Sequence, residues 1–315
     1  MNALTEPLRA RLQETLSGQQ GGVPAWIDAF TEGTDAGFFG PGSAAWAVHG
    51  QMPTLVAGVR ALMMQALHPG ALAGVHDWSR FRDDPLGRLA GTIRWIFTVT
   101  YGDTTQATRG SEWVLRLHER VVGTYVDAHG HVGAYAANDP ELLTWVHLAF
   151  TDAFLSTHEL WGGPIPGGPD QYVREWATAG ELMGVPNPPR SRADLKAQLR
   201  AFADSGDLAG GAKVDEIIRF IRRPPLRRAL RPSYRILFEG AVVSLEPRFR
   251  EMLGLEVARF GPVPLPIIGA TRVVLGGAGT LLGTQTQGEK AALGRLERLG
   301  LLGSETSGGW PSPPA

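Results

Sequence analysis

Apolar residues recur at three- and four-residue spacing along most of the chain. The spacing predicts helices over about 4–17, 54–67, 85–100, 106–127, 139–161, 169–183, 192–204, 212–222, 226–238 and 286–301. The predicted edges carry matching punctuation. Asn138-Asp139-Pro140 places a cap before a proline in the first turn, Ser191 and Asp194 form a capping pair, and Gly123 and Gly184 fall near helix ends. Period-2 alternation is rare, so the expected class is all-α. Residues 31–53 are rich in glycine and small side chains and read as an irregular lead-in, with a short helix around 43–49. The expected organisation is a lead-in over 1–42, a main helical unit over 43–255, an apolar segment with a helix over 256–302, and a flexible tail over 303–315.

One predicted helix raises a chemical question. In SEWVLRLHERVVG, Val114, Leu115, Leu117, Val121 and Val122 mark an apolar face, and Glu112, Arg116, Glu119 and Arg120 a polar one. His118 falls in the apolar face. A histidine there is either a core side chain bonded to a carbonyl or a ligand.

Composition narrows the second reading. The chain has 315 residues, 43% hydrophobic and 19% charged, enough to bury a sizeable core, and a net charge of −1 favours no nucleic-acid partner. It has no cysteine, which removes iron–sulfur clusters, thiolate-ligated haem, covalent haem attachment, zinc ribbons, thiol nucleophiles and disulfides. The first twenty residues show no signal-peptide core, so a cytoplasmic location is expected. The longest apolar segment, 263–283, contains two prolines, an arginine and five glycines, and reads as a peripheral hairpin or core segment rather than a spanning helix. Residues 219–235 hold seven arginines and no carboxylate. They suit a solvated face or an anion contact, and peripheral membrane contact is one such partner.

Eight histidines remain as metal ligands. HExxH, ExxH and GxSxG are all absent, which removes the zincin, di-iron carboxylate and serine-elbow chemistries. LGGAGTLLG at 275–283 does not match GxGxxG. His129 and His131 sit in a glycine-rich loop and read as solvated. What is left is axial ligation of a haem by one imidazole on an apolar helix face. His118, His68 in LMMQALHPG and His147 in LLTWVHLAF all meet that requirement, and periodicity does not rank them.

The blocks QALHPGALAGV, SRFRDDPLGR, RLHERVVG, YAANDPELLTWVH and LEPRFREMLGL resemble the MpaB-like oxygenases, the helical family that includes latex clearing protein, from about residue 43 to 255. The resemblance implies a globin-like helical core holding haem b, with His118 as the proximal iron ligand. It implies that Arg88 and Thr92, in GRLAGT, share one helical face on the distal side. Arg88 would hydrogen-bond dioxygen or a propionate, unless it pairs with Asp83 or Asp84. Gly91 stands where latex clearing protein carries a lysine, which puts a lysine-capped resting state in doubt, and rubber as substrate with it. His68 and His147 are further cofactor-contact candidates. Phe81, Trp95 and Phe150 are candidate pocket walls. The expected function is haem-dependent oxygenation of an apolar alkene or aromatic with O2. A non-catalytic haem-binding or oxygen-sensing role is the alternative, and a helical protein that has lost its cofactor a third reading.

Overall fold

A computed structural model describes residues 24–78, 85–283 and 285–302, with the side chains of 85–89 outside the description. The predicted helix 4–17, the tail, Phe81 and the side chain of Arg88 therefore lie outside the described residues. Helices make up 66% of the structure and strands 5%, so the chain is all-α in class. Fourteen α-helices are present among the described residues.

The longest helix organises the rest. The early helices are α1 (Ala25–Asp28), α2 (Ala44–His49), α3 (Thr54–Gln65), α4 (Pro69–Trp78), α5 (Pro85–Tyr101) and α6 (Thr104–His118). Then come α7 (Pro140–Trp161), α8 (Gly168–Leu182), α9 (Arg192–Ser205), α10 (Ala212–Arg222), α11 (Arg231–Ser244), α12 (Pro247–Met252), α13 (Ile267–Leu282) and α14 (Gln287–Arg298). α7 runs antiparallel to α3: Trp145 Nε1 donates to Gln65 O at 3.3 Å, and Asp152 pairs with Arg60 at 2.6 Å two turns along. Trp145, Leu148, Met63, Met64 and Phe238 are fully buried where α3, α7 and α11 meet. Burying each such side chain contributes roughly 1.5–3 kcal/mol, which makes this layer the main source of stability.

Two polar clusters lie inside this apolar frame. Arg60 and Asp152 are wholly buried, and Lys196 of α9 reaches both Asp152, at 2.8 Å, and Glu246, at 2.5 Å. The second cluster is neutral. Thr100 donates its hydroxyl proton to Ile96 O at 2.8 Å, so it accepts from His49 Nδ1 at 2.8 Å, and His49 Nε2 then accepts from Tyr172 Oη at 3.0 Å. The chain of donors fixes one His49 tautomer and ties α2, α5 and α8 together.

The lead-in is irregular but tightly wired. Asp103 caps α6 in a capping box and also accepts from Thr34 N at 2.7 Å, and Asp35 accepts from Thr104 N at 2.9 Å. Fully buried Arg295 of α14 donates to Phe30 O at 2.9 Å and Tyr101 O at 2.8 Å, clamping the lead-in onto the α5–α6 turn.

The structure departs from the predicted helix over 106–127, which ends at His118. Val121 N turns back onto His118 O at 2.9 Å, and residues 122–136 form an antiparallel hairpin, β1 (Val122–Val126) with β2 (Val132–Ala136). Inward Tyr125 and Tyr135 contact edge to face at 6.3 Å, and Tyr135 Oη bonds Asp77 at 3.0 Å. A Cβ at Gly123 would lie 2.8 Å from the Tyr135 ring, so the strand needs glycine there. The helix predicted at 226–238 is also displaced: a 3-10 turn covers Arg228–Leu230, and α11 starts one residue before Pro232.

Candidate functional site

The α5–α6 hairpin sets the site. Trp95 Nε1 donates to Ser111 Oγ at 3.1 Å, and a Cβ at Gly110 would meet Thr98 Cγ2 at 3.1 Å. These contacts fix an antiparallel register in which the two helices diverge from the capped turn at Asp103. His118, the last residue of α6, comes back level with the first turns of α5, where Arg88, Gly91 and Thr92 stand. The fold thus gathers at one end of a hairpin residues that lie about thirty apart in sequence. His118 and Thr92 are half-buried. Gly91 is exposed, and a Cβ there would meet nothing within 4 Å.

A small apolar cluster adjoins this end. Leu143, Met183 and Val185 are buried against Trp95, Val114 and Leu115. Val114 and Leu115 lie one turn before His118 on α6, and Leu143 lies one turn before His147 on α7. Asn138 Nδ2 donates to Leu115 O at 3.0 Å and pins the start of α7 to the end of α6.

His147 lies on the α7 side of this cluster. It is buried, and its Nε2 has no hydrogen-bond partner. Burial pushes its pKa down to about 4, so the ring is neutral at ordinary pH. A Cβ at Gly180 would lie 3.0 Å from both Cε1 and Nε2 of the ring, so α8 presents bare backbone to the imidazole. An unpaired buried polar atom costs about 1–3 kcal/mol, and a group that bonds it in the functional state would recover that cost.

His68 sits in a different environment. Its Nδ1 accepts from Gly70 N at 3.2 Å and its Nε2 bonds Glu141 Oε1 at 3.3 Å, with Phe202 edge-on at 6.3 Å. Both ring nitrogens are engaged, and burial lowers its pKa against the opposing pull of Glu141. The ring caps the amide end of α4. Trp95 and Phe150 are half-buried and packed, Trp95 on Trp176 at 6.1 Å and Phe150 stacked on Phe154 at 6.4 Å. A groove of about 460 Å³ beside Met52, Trp161 and Leu275 is lined by none of these candidates. Among the described residues no three histidine or carboxylate side chains converge on a metal position.

Residues 46–274 match the family described as ER-bound oxygenase mpaB/B′/rubber oxygenase, catalytic domain. The chain belongs to this family. It is therefore an oxygenase-type protein over most of its length, and the matched span runs from α2 into α13. No curated protein and no solved structure matches the chain. No single helix among the described residues is long and apolar enough to cross a membrane.

Sequence reasoning passed over two buried residues within the family span. His49 carried no periodic signal, since it ends a helix of only six residues. Its partners, Thr100 and Tyr172, lie 51 and 123 residues away. Arg60 looked like an ordinary polar position in TLVAGVRALMMQ, yet every neighbouring turn is apolar, and that isolation was a legible sign of burial.

Proposed function

We propose that this chain is a haem b-dependent oxygenase that acts with O2 on an apolar small molecule carrying an alkene or aromatic group. The observation that carries the reading is the α5–α6 register, which brings His118 level with Arg88 and Thr92 beside an apolar cluster. Family membership supplies the oxygenase class. Bound haem would supply the redox-active iron that oxygen chemistry requires. His118 would hold that iron through its imidazole. Thr92 would offer a hydroxyl and Arg88 a guanidinium, four residues apart on one helical face, as donors to an oxygen or a propionate. Leu143, Met183 and Val185 exclude water beside them. The unpaired His147 Nε2 fits a contact to the cofactor or the substrate from the α7 side. At Gly91 there is no side chain to cap the iron. His68 takes a structural role in this reading, because both its nitrogens are engaged. Absence of cysteine supports a cytoplasmic location.

Haem titration with a pyridine haemochrome assay tests the reading. The expected result is about one haem b per chain, with His118→Ala losing it and His68→Ala keeping it. A protein that shows no Soret shift at stoichiometric haem refutes the reading. Haem uptake without oxygen consumption over a panel of apolar alkenes and aromatics would favour oxygen sensing instead.

A further inference from the structure

The last third of the chain carries two surface features that the fold sets side by side. The first is the arginine run. The end of α10 packs on the start of α11: Tyr234 Oη donates to Ile221 O at 2.6 Å, and the Arg222 guanidinium lies 5.0 Å over the Phe238 ring. Arg219, Arg222, Arg223, Arg228, Arg231 and Arg235 are all exposed, and none has a carboxylate partner among the described residues. The second feature is apolar. A short hairpin, β3 (Arg259–Phe260) with β4 (Val263–Pro264), leads into α13. Phe260 is 81% exposed, Val263 61% and Val273 76%, and Leu265 and Ile268 are also exposed.

Contacts join the two. A Cβ at Gly240 of α11 would lie 2.7 Å from Thr271 Oγ1 of α13, so the helices touch closely. α13 is fastened to the end of α7 by Trp161 Nε1 to Ile268 O, at 3.0 Å, and Arg272 to Leu160 O, at 3.2 Å. Further down, Glu246 beyond the end of α11 pairs with Lys196, which also holds Asp152 in the middle of α7. α11 therefore runs from that depth up to its arginine-bearing start at the α13 end. No Asp or Glu occurs in residues 217–238 or 257–288, which together hold nine arginines in a chain of net charge −1.

From this juxtaposition we infer a peripheral docking surface for an anionic lipid bilayer. Phe260, Val263 and the outer face of α13 enter the interface, and the arginines of α10 and α11 bind headgroup phosphates. The charge pattern selects this occupant. A two-fold contact with a second copy would set the same arginines against each other. Nucleic acid wants exposed aromatic platforms, and here the exposed apolar residues are mainly aliphatic. A bilayer accepts both features at once.

The test is co-sedimentation of the full chain with phosphatidylcholine vesicles, with and without 30% phosphatidylglycerol, at about 0.1 M salt. Binding to the anionic vesicles alone is expected, weakening steeply at higher salt. Each surface arginine contributes about fivefold, so Arg228→Ala/Arg231→Ala/Arg235→Ala should weaken binding about 100-fold. The chain has no cysteine, so Phe260→Cys takes a single environment-sensitive label. Its emission should rise and shift to the blue on anionic vesicles. The same label on His131→Cys, in the hairpin before the opposite end of the 22-residue α7, should stay unchanged. Indifference to anionic vesicles overturns the inference, as does an equal response from both labels. So does self-association of the chain that buries Phe260 without lipid. None of these readouts depends on haem, so the outcome is separate from that of the proposed function.

Discussion

Asp152→Asn removes one charge from a buried cluster without changing its shape. Arg60 and Asp152 are both wholly inaccessible, whereas Lys196 is 24% exposed and holds Glu246 as a second partner. Lys196 can therefore turn outward, but Arg60 cannot. Its Nε and Nη1 already lack hydrogen-bond partners, so the Asp152 carboxylate is its main compensation. Breaking a buried pair from one side typically costs about 3–5 kcal/mol, a large part of the roughly 5–15 kcal/mol total of a folded domain. Lys196→Met should cost distinctly less, about 1 kcal/mol, since a half-solvated partner is lost. The double variant Arg60→Met/Asp152→Leu should recover most of the loss, because a well-packed apolar pair often matches or exceeds a buried ion pair. Urea denaturation followed by far-ultraviolet circular dichroism measures all three. The reasoning fails if Asp152→Asn costs less than about 1 kcal/mol, or if the double variant is as unstable as the single one.

Burial holds His49 near a pKa of about 3 and His147 near about 4, against the ordinary histidine value of 6.5. In the unfolded chain these rings take up protons that the native state refuses. Stability should therefore fall as pH drops from about 6.5 toward 4, and urea midpoints across that window check it. Burial raises the Asp152 pKa, but Arg60 and Lys196 outweigh it and leave the group below its usual value. Its contribution is present above the unfolded carboxylate pKa and is lost only as pH falls through the lower folded one, as a second acid limb absent from Asp152→Asn. Tyr172→Phe leaves His49 Nε2 without its donor and should cost about 1–3 kcal/mol, read by the same denaturation assay. His147→Leu should stabilise the haem-free protein by about 1 kcal/mol while weakening haem or substrate binding, and unchanged binding would assign His147 to the core.

The helices were largely legible because burial here follows a 3.6-residue period. Leu142, Trp145, Leu148, Ala149 and Asp152 mark one side of α7, and Leu143, His147, Phe150 and Phe154 another. The β1–β2 hairpin was not. Its strands read VGTYV and VGAYA, so each has a glycine where alternation would show an inward apolar residue. Those glycines face tyrosines of the partner strand, an interaction invisible in either strand alone. RLHERVV continues the helical pattern with Val121 and Val122, yet Ala137 N bonds Val121 O across the hairpin at 2.9 Å. Tertiary pairing overrode local propensity at that point.

The candidate site was legible as residue types and not as an arrangement. Spacing put Arg88 and Thr92 on one face, but only the α5–α6 register brings His118 level with them. That register follows from a turn tied down by Asp103, Gln106 and Arg295, and Arg295 lies almost two hundred residues further on. His68, His118 and His147 were indistinguishable by periodicity because each follows an apolar helical run. What separates His68 from His147 is supplied by other elements: Glu141 and the Gly70 amide engage the first, and Gly180 backs the second without bonding it. A neutral, unpaired imidazole nitrogen beside a dry cluster costs stability in the isolated chain. A ligand that bonds it would offset that cost, and the His147→Leu trade of stability against binding tests that account directly.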